Sequence, residues 1–273
     1  MRALLLASML ATLLPAGCDD GPKVDPAAAE AKLASDLEAA AAWTRNHKFK
    51  DAEKVYETIL AQDSEQPEAL AGLARIRFSD GQPDEALVLV DRAVAAKADD
   101  AATHSLRGEV LARKEQHAEA AAAFAKAAAL DPDKSEYSLP QGVQLKLAKQ
   151  YDEAEKVLRG VVELDPMAQF VYTELGDVLR GQGRDDEALK TYMKALSTWA
   201  SDKMAHAGAA QVYESKGDVD HALTEWSTYV RMDCCSAYSD DVAKTRIVAL
   251  QAASNTRNVD APPADAPPPA VAE

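Results

Sequence analysis

The chain has 273 residues, long enough for one or two ordinary domains, and with 47% hydrophobic residues it can bury a sizeable core. Its 45 acidic against 30 basic residues give a net charge of −15, which excludes nucleic acid and anionic membrane surfaces as electrostatic partners, because a polyanion needs a basic face. Aromatic residues make up only 5% while alanine is abundant, so the interior has to be built from closely approaching small side chains, which packed helices accommodate better than sheets.

Met1 and Arg2 form a short basic start, and Ala3 to Leu14 is an apolar run interrupted only by Ser8 and Thr12. The run has the length of a signal-peptide core and is too short to span a bilayer as a permanent helix. It ends in Leu14-Pro15-Ala16-Gly17-Cys18, which resembles the lipobox of bacterial lipoproteins, although Pro15 stands where that motif usually has leucine. The resemblance implies a signal peptide over 1–17, cleavage after Gly17, and lipid attachment at Cys18. The protein would then sit in the bacterial cell envelope as a membrane-anchored lipoprotein facing the periplasm. Two or three acyl chains suffice for stable anchoring, and in so acidic a chain they have to supply the membrane affinity. Residues 18–32 read as a lipidated tether leading into the first helix, with Gly21, Pro22 and Pro26 among charges.

From residue 33 a period of 34 governs the chain. Ala52, Ala86, Ala120, Ala154, Ala188 and Ala222 recur at that spacing, each preceded twelve residues earlier by Ala40, Ala74, Gly108, Gly142, Gly176 or Ala210. Small residues at both places let two antiparallel helices approach closely. Four residues after each alanine comes a bulkier side chain, Tyr56, Val90, Phe124, Leu158, Tyr192 or Trp226, one turn along the same helix face. Gly81, Gly183 and Gly217 fall at the turns between helices, and Pro132 and Pro166 close two repeats. This pattern resembles the tetratricopeptide repeat, over 33–66, 67–100, 101–134, 135–168, 169–202 and 203–236. The resemblance implies an all-α fold, a right-handed superhelical solenoid of six helical hairpins. An open array needs a polar-faced end, and 237–253 reads as a capping helix with Val242, Ile247, Val248 and Leu250 apolar. Residues 254–273, with five prolines, read as a disordered tail.

Three places depart from the repeat. Arg77 and Gln141 replace apolar residues of first helices, and Pro140 falls inside the first helix of the fourth repeat. A shortened or bent helix, capped by Ser138, is expected there.

The sequence carries no glycine-rich phosphate loop, His-Glu-x-x-His pair or nucleophile elbow. His47, His104, His117, His206 and His221 are spread over different repeats without metal spacing and read as solvated or capping residues. Paired acids such as Asp185 and Asp186 lie at helix N-termini, where they favour the dipole. Neither a catalytic residue, a metal site nor a cofactor is expected. Cys234 and Cys235 are adjacent, with Cα atoms about 3.8 Å apart, short of the usual disulfide range. They read as a strained vicinal bridge, as two free thiols, or as an intermolecular bridge.

The family resemblance further implies a concave groove lined by first helices, and so by Arg75, Phe78, Glu109, Arg113, Val143, Lys146, Leu147, Phe170, Asp177, Arg180, Gln211 and Glu214. Leu139, Val143, Leu147 and Phe170 are expected to form an apolar strip bordered by Lys146, Asp177 and Arg180, suited to an extended peptide or an amphipathic helix. The carboxylate clamp of chaperone-binding members is missing, because its places hold Leu37, Ala41, Gly72, Ala102 and Leu106. The function expected is an envelope scaffold binding other envelope proteins, with self-association left open. A pilotin-like assembly factor for a type IV pilus or secretin is the alternative, and an enzyme-associated regulatory subunit a distant one.

Overall fold

The computed structural model describes residues 25–233 and 236–260. Every regular element among them is helical. Six first helices, α1 (Pro26–Arg45), α3 (Pro67–Ser79), α5 (Ala101–Arg113), α7 (Ser135–Leu147), α9 (Val171–Gly181) and α11 (Lys203–Ser215), alternate with six second helices, α2 (Phe49–Gln62), α4 (Pro83–Ala96), α6 (His117–Leu130), α8 (Tyr151–Leu164), α10 (Asp185–Thr198) and α12 (Val219–Met232). A π-helical turn at Ser239–Ala243 leads into α13 (Lys244–Asp260). Each helix packs chiefly on its neighbours in sequence, so the expected solenoid of six hairpins and a cap is what forms.

The close approach within a hairpin has a visible cause. All six periodic alanines are fully buried, and all six bulky side chains are at most 3% exposed. A Cβ added to Gly108, Gly142 or Gly176 would lie 2.8, 2.6 or 2.6 Å from the Phe124, Leu158 or Tyr192 side chain of its own repeat. The small residue is therefore the seat of the large one. Tyr192 also meets Gly208 of the next repeat, where an added Cβ would lie 2.4 Å from its ring, so one side chain ties two hairpins together.

The turn inside each hairpin is also the same six times. His47, Gly81, Glu115, Lys149, Gly183 and Gly217 all have positive φ, between 57° and 76°. The following N–H donates back to the carbonyl of Trp43, Arg77, Leu111, Leu145, Leu179 or Tyr213 at 2.9–3.0 Å, the bond that closes a left-handed helix end. Only three of these positions are glycine, since the packed hairpin imposes the conformation even where a side chain resists it.

Several boundaries differ from expectation. Helix α1 starts at Pro26, inside the expected tether. Asp25 accepts from the Ala27 N–H at 3.1 Å, Pro26 occupies the first turn where its missing N–H is harmless, and the alanine-rich residues after it favour helix. Pro140 does not shorten α7, which starts at Ser135 and has the 13 residues of α3, α5 and α11; Ser138 is not its cap. The proline removes only the bond to the carbonyl of exposed Glu136, while buried Tyr137, Gly142 and Leu145 hold the helix. The short first helix is α9, with 11 residues, because Phe170 takes φ 67° just before it. Arg77 is kept by ion pairs to Glu53 of α2 at 2.6 Å and Glu85 of α4 at 3.3 Å.

At the end of the array Ala243 is fully buried, and Tyr238 stacks its edge on Tyr229, with ring centroids 5.6 Å apart, beside Trp226. Val248, expected on the apolar face, is 65% exposed, and α13 continues to Asp260, beyond the end expected at 253. No described helix is long and apolar enough to cross a membrane. Cys18, Cys234, Cys235 and the tail beyond 260 lie outside the described residues.

Two predictions follow from this packing. Glu115→Gly and Lys149→Gly should each raise stability by about 0.5–1 kcal/mol, by relieving left-handed backbone at a residue with a Cβ. Gly176→Ala should lower it by about 1–3 kcal/mol, overpacking against Tyr192 outweighing the better helix propensity of alanine. Urea denaturation followed by circular dichroism reads both.

Candidate functional site

The first helices lie side by side and line one face of the array. Their side chains pair across neighbouring repeats: Arg75 reaches Glu109 at 3.6 Å, and the Arg113 guanidinium lies 5.0 Å from the centre of the Phe78 ring. Here the structure brings together residues that the sequence had placed in the groove one by one.

The middle of the groove is an ionic network. Lys146 on α7 donates to Asp177 at 2.9 Å and stands 2.6 Å from Glu174, both on α9. Asp177 also accepts from the Tyr192 hydroxyl at 2.6 Å and pairs with Arg180 at 3.6 Å. Burial by itself would lower the Lys146 pKa, but Asp177 and Glu174 outweigh it and hold the ammonium above its ordinary range. Burial raises the Glu174 carboxyl, and Lys146 only partly opposes this. Burial, reinforced by Asp177, likewise raises the Tyr192 phenol. Sequence reasoning named Lys146, Asp177 and Arg180 but missed Glu174. An acid one helical turn before Asp177, on the same helix face, was the available signal.

The expected apolar strip is not continuous. Leu139 packs into the core, Val143 is half-buried, and Leu147 and Phe170 are 48% and 45% exposed. Phe170 precedes α9 and is level in the repeat with Glu136, at the start of α7, whereas Leu147 ends α7. Eleven residues of helix separate the two levels by about 16 Å. Phe170 is thus an exposed aromatic at the rim, at the repeat position that Met204, 44% exposed, holds in the next hairpin.

The far end of the groove is occupied by the cap. Gln211 donates to the Tyr238 hydroxyl at 2.9 Å, Glu214 accepts from the Trp226 indole N–H, and Arg246 reaches Glu214 at 3.4 Å. Two histidines are also more embedded than expected. His104 is buried, with its Nε2 2.9 Å from the Ala98 carbonyl oxygen, and His206 lies against Glu225.

The groove is open beside the cap, where Gln211, Glu214, Trp226, Val242 and Arg246 border a cavity of about 490 Å³, and again in its first half. A cavity of about 410 Å³ spans α1, α3 and α5, floored by Ala41, Tyr56, Ala71, Gly72 and Leu106 and edged by Arg45, Arg75, Glu68, Lys97 and Asp100. Four of the five places where a carboxylate clamp is missing line it, Ala41, Gly72, Ala102 and Leu106, and the small side chains of the first three help to make the room. Of the sequence-named groove residues only Arg75 lines it. Tyr56 had been identified as a packing residue only.

A helical-repeat solenoid with a groove along its first helices is a class of protein-binding scaffold. Family models described as tetratricopeptide repeat match residues 44–110, 101–134, 144–202 and 173–231, and the chain belongs to the tetratricopeptide repeat proteins. No curated protein is significantly similar to it. Among solved structures it is similar to PilW, a widely conserved type IV pilus biogenesis factor, with 20% identity and TM-score 0.65 over 77% of this chain and 97% of that one. PilF of Pseudomonas aeruginosa gives 16% identity and TM-score 0.64 over 82% and 98%. YrrB, a TPR protein with an unusual peptide-binding site, gives 21% identity and TM-score 0.56 over 69% and 97%. At these identities the likeness is one of fold.

The network predicts a pH signature. Glu174 is raised in the folded chain, so ionising it removes stability as pH rises from its unfolded pKa through its folded one. Lys146→Met leaves Glu174, with its side chain 21% exposed, without a cation and leaves Asp177, 25% exposed, with Arg180 alone. It should cost about 2 kcal/mol at neutral pH, and the deficit should shrink toward about pH 4.5 as the stranded Glu174 carboxylate takes up a proton. Urea denaturation of both proteins at the two pH values measures it.

Proposed function

We propose that the chain is a lipid-anchored scaffold of the bacterial cell envelope that holds a segment of another protein in its concave groove. The observation that carries this reading is the open, apolar-floored cavity across repeats one to three, in an array whose middle repeats are bridged by ion pairs of their own. A rigid concave surface with a polar rim presents both an apolar patch to bury and donors and acceptors to fix orientation. Placement in the envelope is supported by the signal-like run ending at Cys18, and the tether would hold the first repeats, and so their cavity, near the membrane. The peptide-binding site of YrrB supports the use of such a groove.

A second reading, an assembly factor for a type IV pilus or its secretin, is favoured by one observation. PilW and PilF are matched over 77% and 82% of this chain, against 69% for YrrB, as expected if array length is common to the group. Crosslinking in intact cells of the native host, followed by recovery of the full-length protein and a Cys18→Ala variant, tests both. Envelope proteins recovered only with Cys18 present are the expected result, and pilus or secretin components among them select the second reading. Equal recovery from both variants would remove the lipid anchor from the proposal, and recovery of nothing would overturn the scaffold itself.

A further inference from the structure

We infer that the open cavity of repeats one to three takes an acidic extended peptide, an apolar side chain seated on the floor and an adjacent Asp or Glu held by Arg45, Arg75 and the Tyr56 hydroxyl. This rests on the scaffold reading above and names the chemistry of the partner.

Tyr56 is 3% exposed, lines the cavity, and has no hydrogen-bond partner among the described residues. Its counterparts further along are engaged: the Tyr192 hydroxyl donates to Asp177 and the Trp226 indole to Glu214. In the first repeat the places of those two acids hold Ala41 and Thr44, and Thr44 turns its own hydroxyl to the Ala40 carbonyl at 2.9 Å. The Tyr56 hydroxyl opens on the cavity and has no protein acceptor there, so its O–H is available to a bound ligand in place of water. Gly72 sets it in place, since a Cβ there would lie 2.2 Å from the ring, so the ring rests against α3 and forms part of the groove floor.

The rim supplies the charge. Arg45 has no side-chain partner among the described residues, and Arg75 reaches only Glu109, at 3.6 Å and with its side chain 46% exposed. The acids on the opposite edge are already used: Glu68 accepts from Lys97 at 3.2 Å and from Gln66 at 2.7 Å, and Asp100 caps α5 through the Thr103 N–H at 2.8 Å. The cavity therefore offers one unpaired guanidinium, a second held only by a 3.6 Å contact to Glu109, and a phenol, which together complement a carboxylate. A polyanion is the wrong occupant, because two arginines in a chain of net charge −15 make a point of attraction and not a basic field. The apolar floor, with room for a large side chain, adds the second half of the motif.

The test starts from a random twelve-residue display library selected on the full-length protein. An enriched peptide and its acid-to-amide analogue are then titrated by fluorescence anisotropy. Enrichment of Asp or Glu beside an apolar residue is expected. Arg45→Glu should weaken binding at least tenfold and Tyr56→Phe several-fold, with unchanged thermal unfolding, while Lys126→Glu on α6 leaves it unaltered. Enrichment of basic or uncharged sequences, or acidic binding indifferent to Arg45→Glu, overturns the inference and leaves the scaffold reading standing. An oligomer that Arg45→Glu dissociates also overturns it, by making a second copy the occupant. Enrichment of nothing removes both readings.

Discussion

A small residue on the first helix of a hairpin, seated against a large one on the second, sets the geometry that every other feature depends on. Gly108 under Phe124, Gly142 under Leu158 and Gly176 under Tyr192 bring helix axes close enough that the intervening alanines vanish from solvent. Because the contact recurs every 34 residues, each hairpin presents the same face to the next, and nearest-neighbour packing suffices to build the array. The same contact places the tips of the large side chains at the groove floor, so packing residues become candidate binding residues wherever they carry a polar atom.

The groove is graded along its length by what those tips meet. Tyr192 and Trp226 find acids on their own first helices, and the fifth and sixth repeats are tied to the fourth and to the cap by Lys146, Glu174, Gln211, Tyr238 and Arg246. Tyr56 meets alanine and a threonine that is already bonded. One structural device, repeated, thus yields large side chains tied to an acid at one end and a phenol without one at the other, through single substitutions at equivalent places.

Much of the groove was legible in the sequence as membership but not as arrangement. Arg75, Glu109, Arg113, Lys146, Asp177 and Arg180 do lie on first helices, yet their pairing across repeats decides which remain available, and pairing depends on rotamers that spacing does not encode. Phe170 shows the limit most clearly. Its repeat position puts it on a first helix, but a left-handed backbone there starts α9 late and leaves the ring at the rim. Pro140 shows the converse, a residue that breaks helices in general and is absorbed here, because one lost bond at an exposed turn weighs less than the packing of Tyr137, Gly142 and Leu145.

The sequence by itself determined the hairpins, their number and their phase, since a 34-residue recurrence of small and large side chains has only one way to bury its apolar faces, by stacking identical units. Tertiary structure alone decided which groove residues neutralise one another, that the cap bonds to Gln211 and Glu214 at the end of the groove, and that Tyr56, Arg45 and Arg75 share a cavity. These are relations between residues some tens of positions apart in sequence, fixed by how neighbouring hairpins lie against each other. A local pattern records the propensity of each helix and the size of each side chain, but not which neighbour a charge will face.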